Sequence, residues 1–417
     1  MKAPLGEEMT EALTPGVEAR IRRLGKVDLI VGIPAYNCAD TIGYVMNNAA
    51  QGLLEFFPEE RGLLLISDGG STDGTRDVAS ELRLPPGVER IVGTYAGAAG
   101  KGSAVKLVFE AARLLGAVGV ALVDSDLRSI VPEWIRLLLE PVLKDAGLST
   151  PLYMRHKYDG TITNHIAYPL TRTLYGKRIR QPIGGEFGLS KELVERLLAS
   201  PLWENPYTPR FGIDAFITHT ALALGFPVVE ASLGVKIHSP KEPTKHLAPM
   251  FREVVGSLFS AMVLYESSWR EIHKSEPVPL LRGHFKPSKP EECSLDREAS
   301  VRAFKEGFPR FRGLYRSILT RDLYDELSTL VRGAEAEFTF STELWAKTAY
   351  TFAAGFKEER RQQKRDLLLD ALRICWYGRI GAFTRETRDL DDKEADEKVL
   401  DAAIVFETLK DYLLEIY

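Results

Sequence analysis

Short apolar runs alternate with longer segments of helical spacing along about the first 150 residues of the chain. The apolar runs are rich in Val, Ile and Leu and predict strands at residues 28–34, 63–68, 90–93 and 118–124. Apolar positions spaced three and four apart predict helices at residues 41–56, 73–82, 102–115 and 132–143. Such alternation is typical of parallel strands joined by helical crossovers. We therefore expect an α/β fold that binds its ligands at the carboxyl ends of the strands.

The pattern changes twice further along the chain. Beyond residue 149, strands are predicted at residues 152–155, 185–189 and 227–234, and helices at residues 191–198 and 213–224. From residue 247 onward the pattern predicts long amphipathic helices on both sides of a Pro- and Gly-containing stretch at 277–290. We expect three parts: an N-terminal extension (1–25), an α/β domain (26–246) whose halves divide near residue 150, and a mainly helical C-terminal region (247–417).

Composition narrows the classes of function. The 417 residues carry a formal net charge of -4, so the chain has no broad basic field and nucleic acid is not expected as a partner. No run approaches the roughly 18 apolar residues of a membrane span, and the first 25 residues lack the pattern of a secretory signal. The only cysteines are Cys38, Cys293 and Cys375, too few and too scattered for a disulfide framework. We therefore expect a cytoplasmic protein.

Two carboxylates, Asp124 and Asp126, follow the apolar run 121–123 and are separated by one residue. At a strand end, the turn can direct one side chain to a ribose and the other to a metal ion. A hard divalent cation stabilises the negative charge that develops when a diphosphate departs, and this chemistry uses such a pair. Aspartates are also common in turns and helix caps, so the pair indicates a metal site only together with other motifs.

Two more motifs lie at the ends of predicted strands. Pro34, Ala35, Tyr36 and Asn37 end the first strand, and Asp68 and Gly69 begin a glycine-containing turn after the second. The glycines permit a tight turn, and the Asp68 carboxylate can accept a hydrogen bond from a ribose or a base edge. A second interpretation, compatible with the first, is that Ser71 or Thr72 caps the helix predicted from residue 73.

In order and spacing, these three motifs resemble the GT-A fold glycosyltransferases, over residues 28 to about 240. Further stretches at 100–102, 181–186, 211–214 and 233–238 are similar to the retaining enzymes that make glucosylglycerate, mannosylglycerate or their 3-phospho forms, among them the glucosyl-3-phosphoglycerate synthases. The resemblance implies a GT-A domain with a helical C-terminal extension. It also implies a hexosyltransferase that retains the anomeric configuration and makes a compatible solute or a precursor of a polysaccharide.

The same resemblance implies the composition of the donor site. The donor would be a nucleotide diphosphate sugar (UDP-, GDP- or ADP-linked glucose or mannose), used with Mg²⁺ or Mn²⁺. Asp126 and His238 would ligate this cation, although a lone histidine is more often a packed structural residue. The residues implied at the donor are Pro34, Ala35, Tyr36, Asn37, Asp68, Gly69, Lys101, Asp124, Ser125 and Asp126.

Catalytic and acceptor residues follow by the same resemblance. Lys101 would reach the donor diphosphate, and Glu186 and Asp214 would lie near the sugar without a requirement for a covalent nucleophile. The implied acceptor residues are Arg155, Thr161, Thr163 and Asn164. Among them, Arg155 can grip the carboxylate of glycerate with two hydrogen bonds. The competing interpretations are an exposed lysine at 101 and a solvated basic loop around Arg155.

Two departures from the resembling enzymes bear on the acceptor. Enzymes that act on 3-phosphoglycerate typically have an arginine two residues before the threonine that corresponds to Thr163, and this chain has Thr161 there. They also have Arg-Asn directly after the histidine that corresponds to His238, and this chain has Ser239 and Pro240 there. We therefore expect transfer to the 2-hydroxyl of D-glycerate. Transfer to 3-phosphoglycerate stays open because a lysine at 157, 241 or 245 could replace the missing contacts. Cys38, where the family often has Glu, leaves the nucleobase open.

Rival interpretations remain at this stage. A sugar-nucleotide pyrophosphorylase would normally show a Gly-x-Gly-x-Arg signature near its start, and this chain ends its first strand with Pro-Ala-Tyr-Asn instead. A non-catalytic scaffold would not need Asp124, Asp126 and His238. Transfer to a polyprenyl phosphate lacks a membrane-binding segment in the sequence. Because long exposed helices often pair, we also expect a homodimer.

Overall fold

A computed structural model describes residues 12–238, 244, 247–285 and 288–417 of the chain. Its strands are β1 (Leu29–Ala35), β2 (Gly62–Asp68), β3 (Val88–Thr94), β4 (Gly119–Leu122), β5 (Leu148–Met154), β6 (Lys177–Arg178), β7 (Phe187–Ser190), β8 (Val228–Val235), β9 (Glu276–Pro277) and β10 (Leu280–Arg282). Among the described residues, eight of these strands form one sheet in the order β10-β8-β5-β7-β4-β1-β2-β3, while β6 pairs with β9. Only β7 runs antiparallel to its neighbours in the large sheet. The predicted α/β fold is confirmed.

Helices cover both faces of the large sheet. Those up to residue 223 are α1 (Pro15–Leu24), α2 (Ile42–Phe56), α3 (Thr75–Glu81), α4 (Lys101–Leu115), α5 (Glu133–Val142), α6 (Tyr168–Tyr175), α7 (Lys191–Leu198) and α8 (Ile213–Ala223). One core lies between the sheet and α1, α4, α7 and α8, and the other between the sheet and α2 and α5. All seven residues of β2 are buried as a result, which explains why its sequence is a continuous apolar run rather than an alternating one.

The C-terminal region is helical, as predicted. Its helices are α9 (Ala248–Leu264), α10 (Glu266–Trp269), α11 (Arg297–Gly307), α12 (Arg312–Ile318), α13 (Arg321–Arg332), α14 (Thr342–Glu358), α15 (Gln362–Glu386), α16 (Asp392–Thr408) and α17 (Lys410–Ile416). They share one hydrophobic core with Ile166 and Leu170 of the α/β part. The Trp345 indole N–H also donates to the carbonyl of His165 at 2.6 Å. The C-terminal helices therefore brace the segment that follows the predicted acceptor residues.

Several elements differ from the sequence prediction. The short strands β6 and β9 were not predicted, and β10 lies in the Pro- and Gly-containing stretch between the predicted helices, where Leu280 pairs with Glu230 of β8 at the edge of the sheet. Helix α1 was not predicted, and Arg20 on it donates to the carbonyl of Val92 on β3 at 2.8 Å. Helix α6 was also not predicted: its eight residues span only about two turns and include Pro169. In the part of the chain that the structure describes, no helix has the length and apolar character needed to cross a membrane.

Candidate active site

The carboxyl ends of β1, β4, β5 and β8 open into one cavity of about 890 Å³. Most of the residues predicted at the site line it: Pro34, Ala35, Tyr36, Asn37, Gly69, Lys101, Asp124, Ser125, Asp126, Arg155, Thr161, Thr163, Asp214 and His238. The predicted residues Asp68, Glu186 and Asn164 lie behind this surface, where they are buried. Parallel strands bring together residues that lie more than a hundred positions apart, and the cavity is the result.

The loops after β1 and β2 hold each other in place. Asn37 has a positive φ of 48°, its backbone N–H donates to Ser71 Oγ, and its side-chain oxygen accepts from the Thr72 N–H. Asp68 accepts hydrogen bonds from the backbone N–H groups of Gly70 (2.9 Å) and Ser71 (3.0 Å). The Asp68 carboxylate therefore shapes the turn. The prediction that Ser71 or Thr72 caps the next helix is wrong, because α3 begins after Gly74 without a side-chain cap.

Asp124 lies between two lysines at the base of the cavity. Its Oδ1 is 2.7 Å from Lys101 Nζ, and its Oδ2 is 3.2 Å from Lys236 Nζ. Burial alone would raise the pKa of Asp124, but the two ammonium groups outweigh it and hold the pKa well below its usual value. Lys101 also pairs with Asp214 at 3.2 Å, and these carboxylates raise the pKa of Lys101 despite its burial. Lys101 is thus a charged group whose side chain is only 14% exposed, and the alternative of an exposed lysine is wrong.

Glu186 forms the deepest layer of the site. Its carboxylate has no solvent exposure, contacts Lys236 Nζ at 2.8 Å, and accepts a hydrogen bond from the Tyr153 hydroxyl. Burial raises the pKa of Glu186 to about 7, although Lys236 opposes the shift. Sequence reasoning gave no role to Tyr153 or Lys236. The sequence did contain one indication of Lys236: a lysine at the end of an apolar strand, two residues before the predicted metal ligand His238.

The predicted metal ligands, Asp126 and His238, both line the cavity. Their loops are joined, because the Arg128 N–H donates to the Ile237 carbonyl at 3.0 Å and the Ile237 N–H donates to Ser129 Oγ at 2.9 Å. A carboxylate oxygen and an imidazole nitrogen suit Mn²⁺ or Mg²⁺. No group of three or more His, Cys, Asp or Glu side chains able to hold an ion occurs among the described residues. Two protein ligands would leave the other coordination positions of such a cation to further groups.

The predicted acceptor residues follow β5. Arg155 lines the cavity and pairs with Asp159, Nη1 to Oδ2, at 3.3 Å. Asn164 points away from the cavity: its side-chain N–H donates to the Asp159 carbonyl at 3.2 Å, and its side-chain oxygen accepts from Arg180 at 2.9 Å. Asn164 therefore anchors the loop that carries Arg155. Because Arg155 lies in the wall of the cavity and is largely buried, the alternative of a solvated loop does not describe it.

Lys157, which was considered as a contact for an acceptor phosphate, forms its hydrogen bonds with the C-terminal region instead. Its Nζ donates to the carbonyls of Thr387 (2.9 Å), Arg388 (3.2 Å) and Leu390 (2.6 Å), just beyond the C-terminal end of α15. It is not among the residues that line the cavity. The other residues considered for this contact, at 241 and 245, and the pair at 239 and 240, lie outside the described residues.

Helix α9 supplies a wall of the cavity that sequence reasoning did not anticipate. Leu247, Met250 and Val254 give this wall an apolar surface beside Asp214. Glu253 lies on the same helix and pairs with Arg210 at 3.7 Å. The helical C-terminal region thus takes part in the cavity and does more than cover the sheet.

Comparison with known proteins agrees with this geometry. Residues 30–198 match the family model of glycosyl transferase family 2. The predicted resemblance to GT-A fold glycosyltransferases is thereby confirmed for this part of the chain, which contains β1 to β5 and β7 with Asp124 and Asp126. No curated protein matches the chain.

Solved structures of glucosyl-3-phosphoglycerate synthase from Mycobacterium tuberculosis are similar to the chain at a low level. The complex with phosphoglyceric acid is 25% identical, covers 60% of this chain and 84% of that chain, and has a TM-score of 0.43. The complex with Mn²⁺, uridine diphosphate and phosphoglyceric acid is 24% identical, covers 59% and 81%, and has a TM-score of 0.44.

Proposed function

We propose that the chain transfers glucose or mannose from a nucleotide diphosphate sugar to the 2-hydroxyl of D-glycerate, with retention of the anomeric configuration. The observation that carries the proposal is the shared cavity. In a domain that matches glycosyl transferase family 2, Asp126 and His238 line the same space as Arg155. A pair of metal ligands and an anion-binding arginine suit a diphosphate donor and a small carboxylate acceptor, respectively.

The donor would lie along the ends of β1 and β4, against Tyr36, Asn37 and Asp124. A divalent cation held by Asp126 and His238 would supply charge stabilisation for the departing diphosphate. Lys101 would add a second positive charge beside the same oxygens, because its ammonium lies at the cavity surface and is held by Asp124 and Asp214. These two carboxylates hold Lys101 in one position before the donor arrives, which reduces the reorganisation needed during the reaction.

Retention needs either a covalent nucleophile or attack on the face from which the diphosphate leaves. Glu186 is poorly suited to the first route, because its carboxylate is enclosed by Lys236 and Tyr153 and is not at the cavity surface. Asp214 lines the cavity, but its carboxylate pairs with Lys101. This arrangement supports same-face displacement, in which the departing phosphate assists the acceptor hydroxyl, with Glu186 acting on the position of Lys236 and Asp124.

The acceptor proposal rests on Arg155 and on what lies near it. Its guanidinium lines the cavity after β5, and Thr163 in the same loop offers a hydroxyl. Thr161 stands where an enzyme for 3-phosphoglycerate would have an arginine, and Lys157 is occupied by the carbonyls after α15. Within residues 155–164, Arg155 is the one basic side chain that lines the cavity, and one such contact matches the single carboxylate of glycerate better than the two anionic groups of 3-phosphoglycerate.

The test is a matrix of nucleotide sugars against acceptors. Purified protein is incubated with UDP-, GDP- and ADP-linked glucose and mannose, each with D-glycerate or 3-phosphoglycerate, in Mg²⁺, Mn²⁺ or a chelator, and the product is identified by NMR. We expect an α-linked product with D-glycerate that requires the cation and that Asp126→Ala abolishes. Transfer to 3-phosphoglycerate alone would refute the acceptor proposal. Full activity of Asp126→Ala would refute the metal proposal, and the absence of product from every pair would refute both.

A further inference from the structure

One carboxylate oxygen links the two halves of the proposed site. Asp159 Oδ2 lies 3.3 Å from Nη1 of Arg155, the proposed acceptor group, and 3.5 Å from Nε2 of His238, the proposed metal ligand. Asp159 itself also lines the cavity, and its side chain is 27% exposed. No role followed for Asp159 from the sequence, although it lies in the stretch that suggested the acceptor site.

The loop backbone holds this carboxylate where it is. The Asp159 N–H donates to the His156 carbonyl at 2.9 Å, and the Asn164 side chain donates to the Asp159 carbonyl at 3.2 Å. Gly160 follows with a φ of +74°, a conformation that favours glycine, and its carbonyl accepts from the Asn164 N–H at 2.8 Å. Because the turn is fixed on both sides, the carboxylate stays between the arginine and the histidine unless a ligand alters the local charge.

The charges around Asp159 determine whether its carboxylate favours or opposes the binding of each ligand. An acceptor carboxylate that approaches Arg155 is repelled by Asp159, whose carboxylate already pairs with one nitrogen of the guanidinium. A cation held by His238 would neighbour the same carboxylate and would offset its charge. In a partly buried cavity the interaction of these charges is weakly screened, so each ligand changes the binding of the other.

On the basis of the proposed function, we propose that Asp159 couples metal binding to acceptor binding. Without a cation, the negative charge of Asp159 opposes the acceptor anion at Arg155. A divalent cation at His238 removes this opposition. Loading of the cation would then favour loading of the acceptor. By thermodynamic reciprocity, the acceptor would raise the affinity for the cation by the same factor. Asp159 acts in this way as a positioning residue that touches neither the sugar nor the diphosphate.

The experiment measures binding, independently of turnover. Titration calorimetry gives the dissociation constants of D-glycerate and 3-phosphoglycerate with and without Mn²⁺ for the unmodified protein, Asp159→Asn and the exposed control Asp145→Asn. Every binding measurement contains the nucleoside diphosphate of the active donor, because its phosphates would complete the ligands of the cation. In the unmodified protein and the control, Mn²⁺ should tighten acceptor binding by about tenfold, within the usual range of coupling between sites. In Asp159→Asn, metal-free acceptor binding should already be tighter by about the same factor, and the Mn²⁺ effect should fall below about twofold.

Electron paramagnetic resonance of bound Mn²⁺ provides the reciprocal measurement on the unmodified protein, so the result does not depend on the stability of a variant. An acceptor that binds but leaves the Mn²⁺ affinity unchanged would overturn the coupling. An equal Mn²⁺ effect in Asp159→Asn would overturn the role of Asp159, as would weaker acceptor binding in that variant with and without Mn²⁺. If neither acceptor binds the unmodified protein under any condition, the proposed function fails and the coupling fails with it.

Discussion

Lys236 Nζ lies 2.8 Å from Oε2 of Glu186 at the base of the cavity, with side-chain exposures of 6% and 0%. The same ammonium is 3.2 Å from Asp124 Oδ2 and donates to the Gly184 carbonyl at 2.8 Å. One buried cation therefore offsets the buried carboxylate of Glu186 and the partly exposed carboxylate of Asp124 at the cavity surface. The position of Asp124, and through it that of Lys101, depends on a residue that the ligands need not touch.

Replacement of Lys236 should be costly to the fold. In Lys236→Met, Glu186 and Asp124 lose their shared partner, and the free energy of unfolding should fall by about 3–5 kcal/mol, as when one partner of a buried ion pair is removed. Urea denaturation measures this loss. The matched control is Lys144→Met, because that lysine is 67% exposed and pairs only at the surface, and it should change stability by less than about 1 kcal/mol.

A double variant separates charge from packing in the same experiment. Lys236→Met combined with Glu186→Gln removes one buried negative charge together with the positive one, so it should be more stable than Lys236→Met alone. If the double variant is less stable than the single one, the loss arises from packing, and the electrostatic account of this pair is wrong.

Replacement of Gly185 tests whether the position of the Asp124 carboxylate matters for activity. Its φ is +99°, and an added Cβ would lie 2.5 Å from Asp124 Oδ2. Gly116 has a φ of +69° with nothing within 4 Å of an added Cβ. Alanine at either position strains the backbone by about 1–2 kcal/mol, but only Gly185→Ala displaces the carboxylate. We expect kcat/KM for the donor to fall by about tenfold or more in Gly185→Ala and to stay unchanged in Gly116→Ala. Equal steady-state kinetics in the two variants would contradict the role of Asp124.

Lys157 joins the acceptor loop to the C-terminal helices. Its ammonium donates hydrogen bonds to three carbonyls just beyond α15, so Lys157→Met should lower the free energy of unfolding by about 1–2 kcal/mol. Since the loop also carries Arg155, KM for the acceptor should rise while KM for the donor stays the same. Lys393→Met, on the exposed face of α16, is the control. A parallel rise of both KM values would show that Lys157 does not act through the acceptor loop alone.

His219 should make the protein sensitive to acid. Its Nε2 lies 2.9 Å from Thr171 Oγ1, a hydroxyl that already donates to the Ala167 carbonyl, so the ring donates from Nε2 and is neutral. Burial lowers the pKa of His219 to about 3, whereas the unfolded chain binds the proton near pH 6.5. Stability from this group is therefore present above about pH 6.5 and is lost as the pH falls toward 3, by up to about 1.4 kcal/mol per pH unit.

The measurement is the free energy of unfolding as a function of pH for the unmodified protein and for His219→Gln, whose amide can keep the bond to Thr171. The two curves should converge as the pH falls from about 6.5 toward 4, because only the unmodified protein carries the histidine. Curves that stay parallel over this range would show that His219 does not contribute to the acid sensitivity.

Local patterns were sufficient for the elements that carry the motifs. The apolar runs located β1, β2 and β4 to within a few residues, and with them the strand ends at Asn37, Asp68 and Asp124. Helix α6 escaped prediction because its eight residues span only about two turns and include Pro169, which the sequence pattern marks as a boundary. Strand β10, with only three residues, is too short to show a period at all.

The sequence therefore identified the residues at the strand ends, because each strand is a local run of apolar residues. It also predicted that they lie on one edge of the sheet, because parallel strands have their carboxyl ends on the same edge. Only the tertiary structure decided which of those residues face the cavity and which support it. Asp68 and Asn164 turned out to hold loops, while Lys236, 50 residues from Glu186, became its buried partner. The reason is physical: the role of a charged side chain depends on its burial and on its nearest opposite charge, and both are set by packing between distant segments.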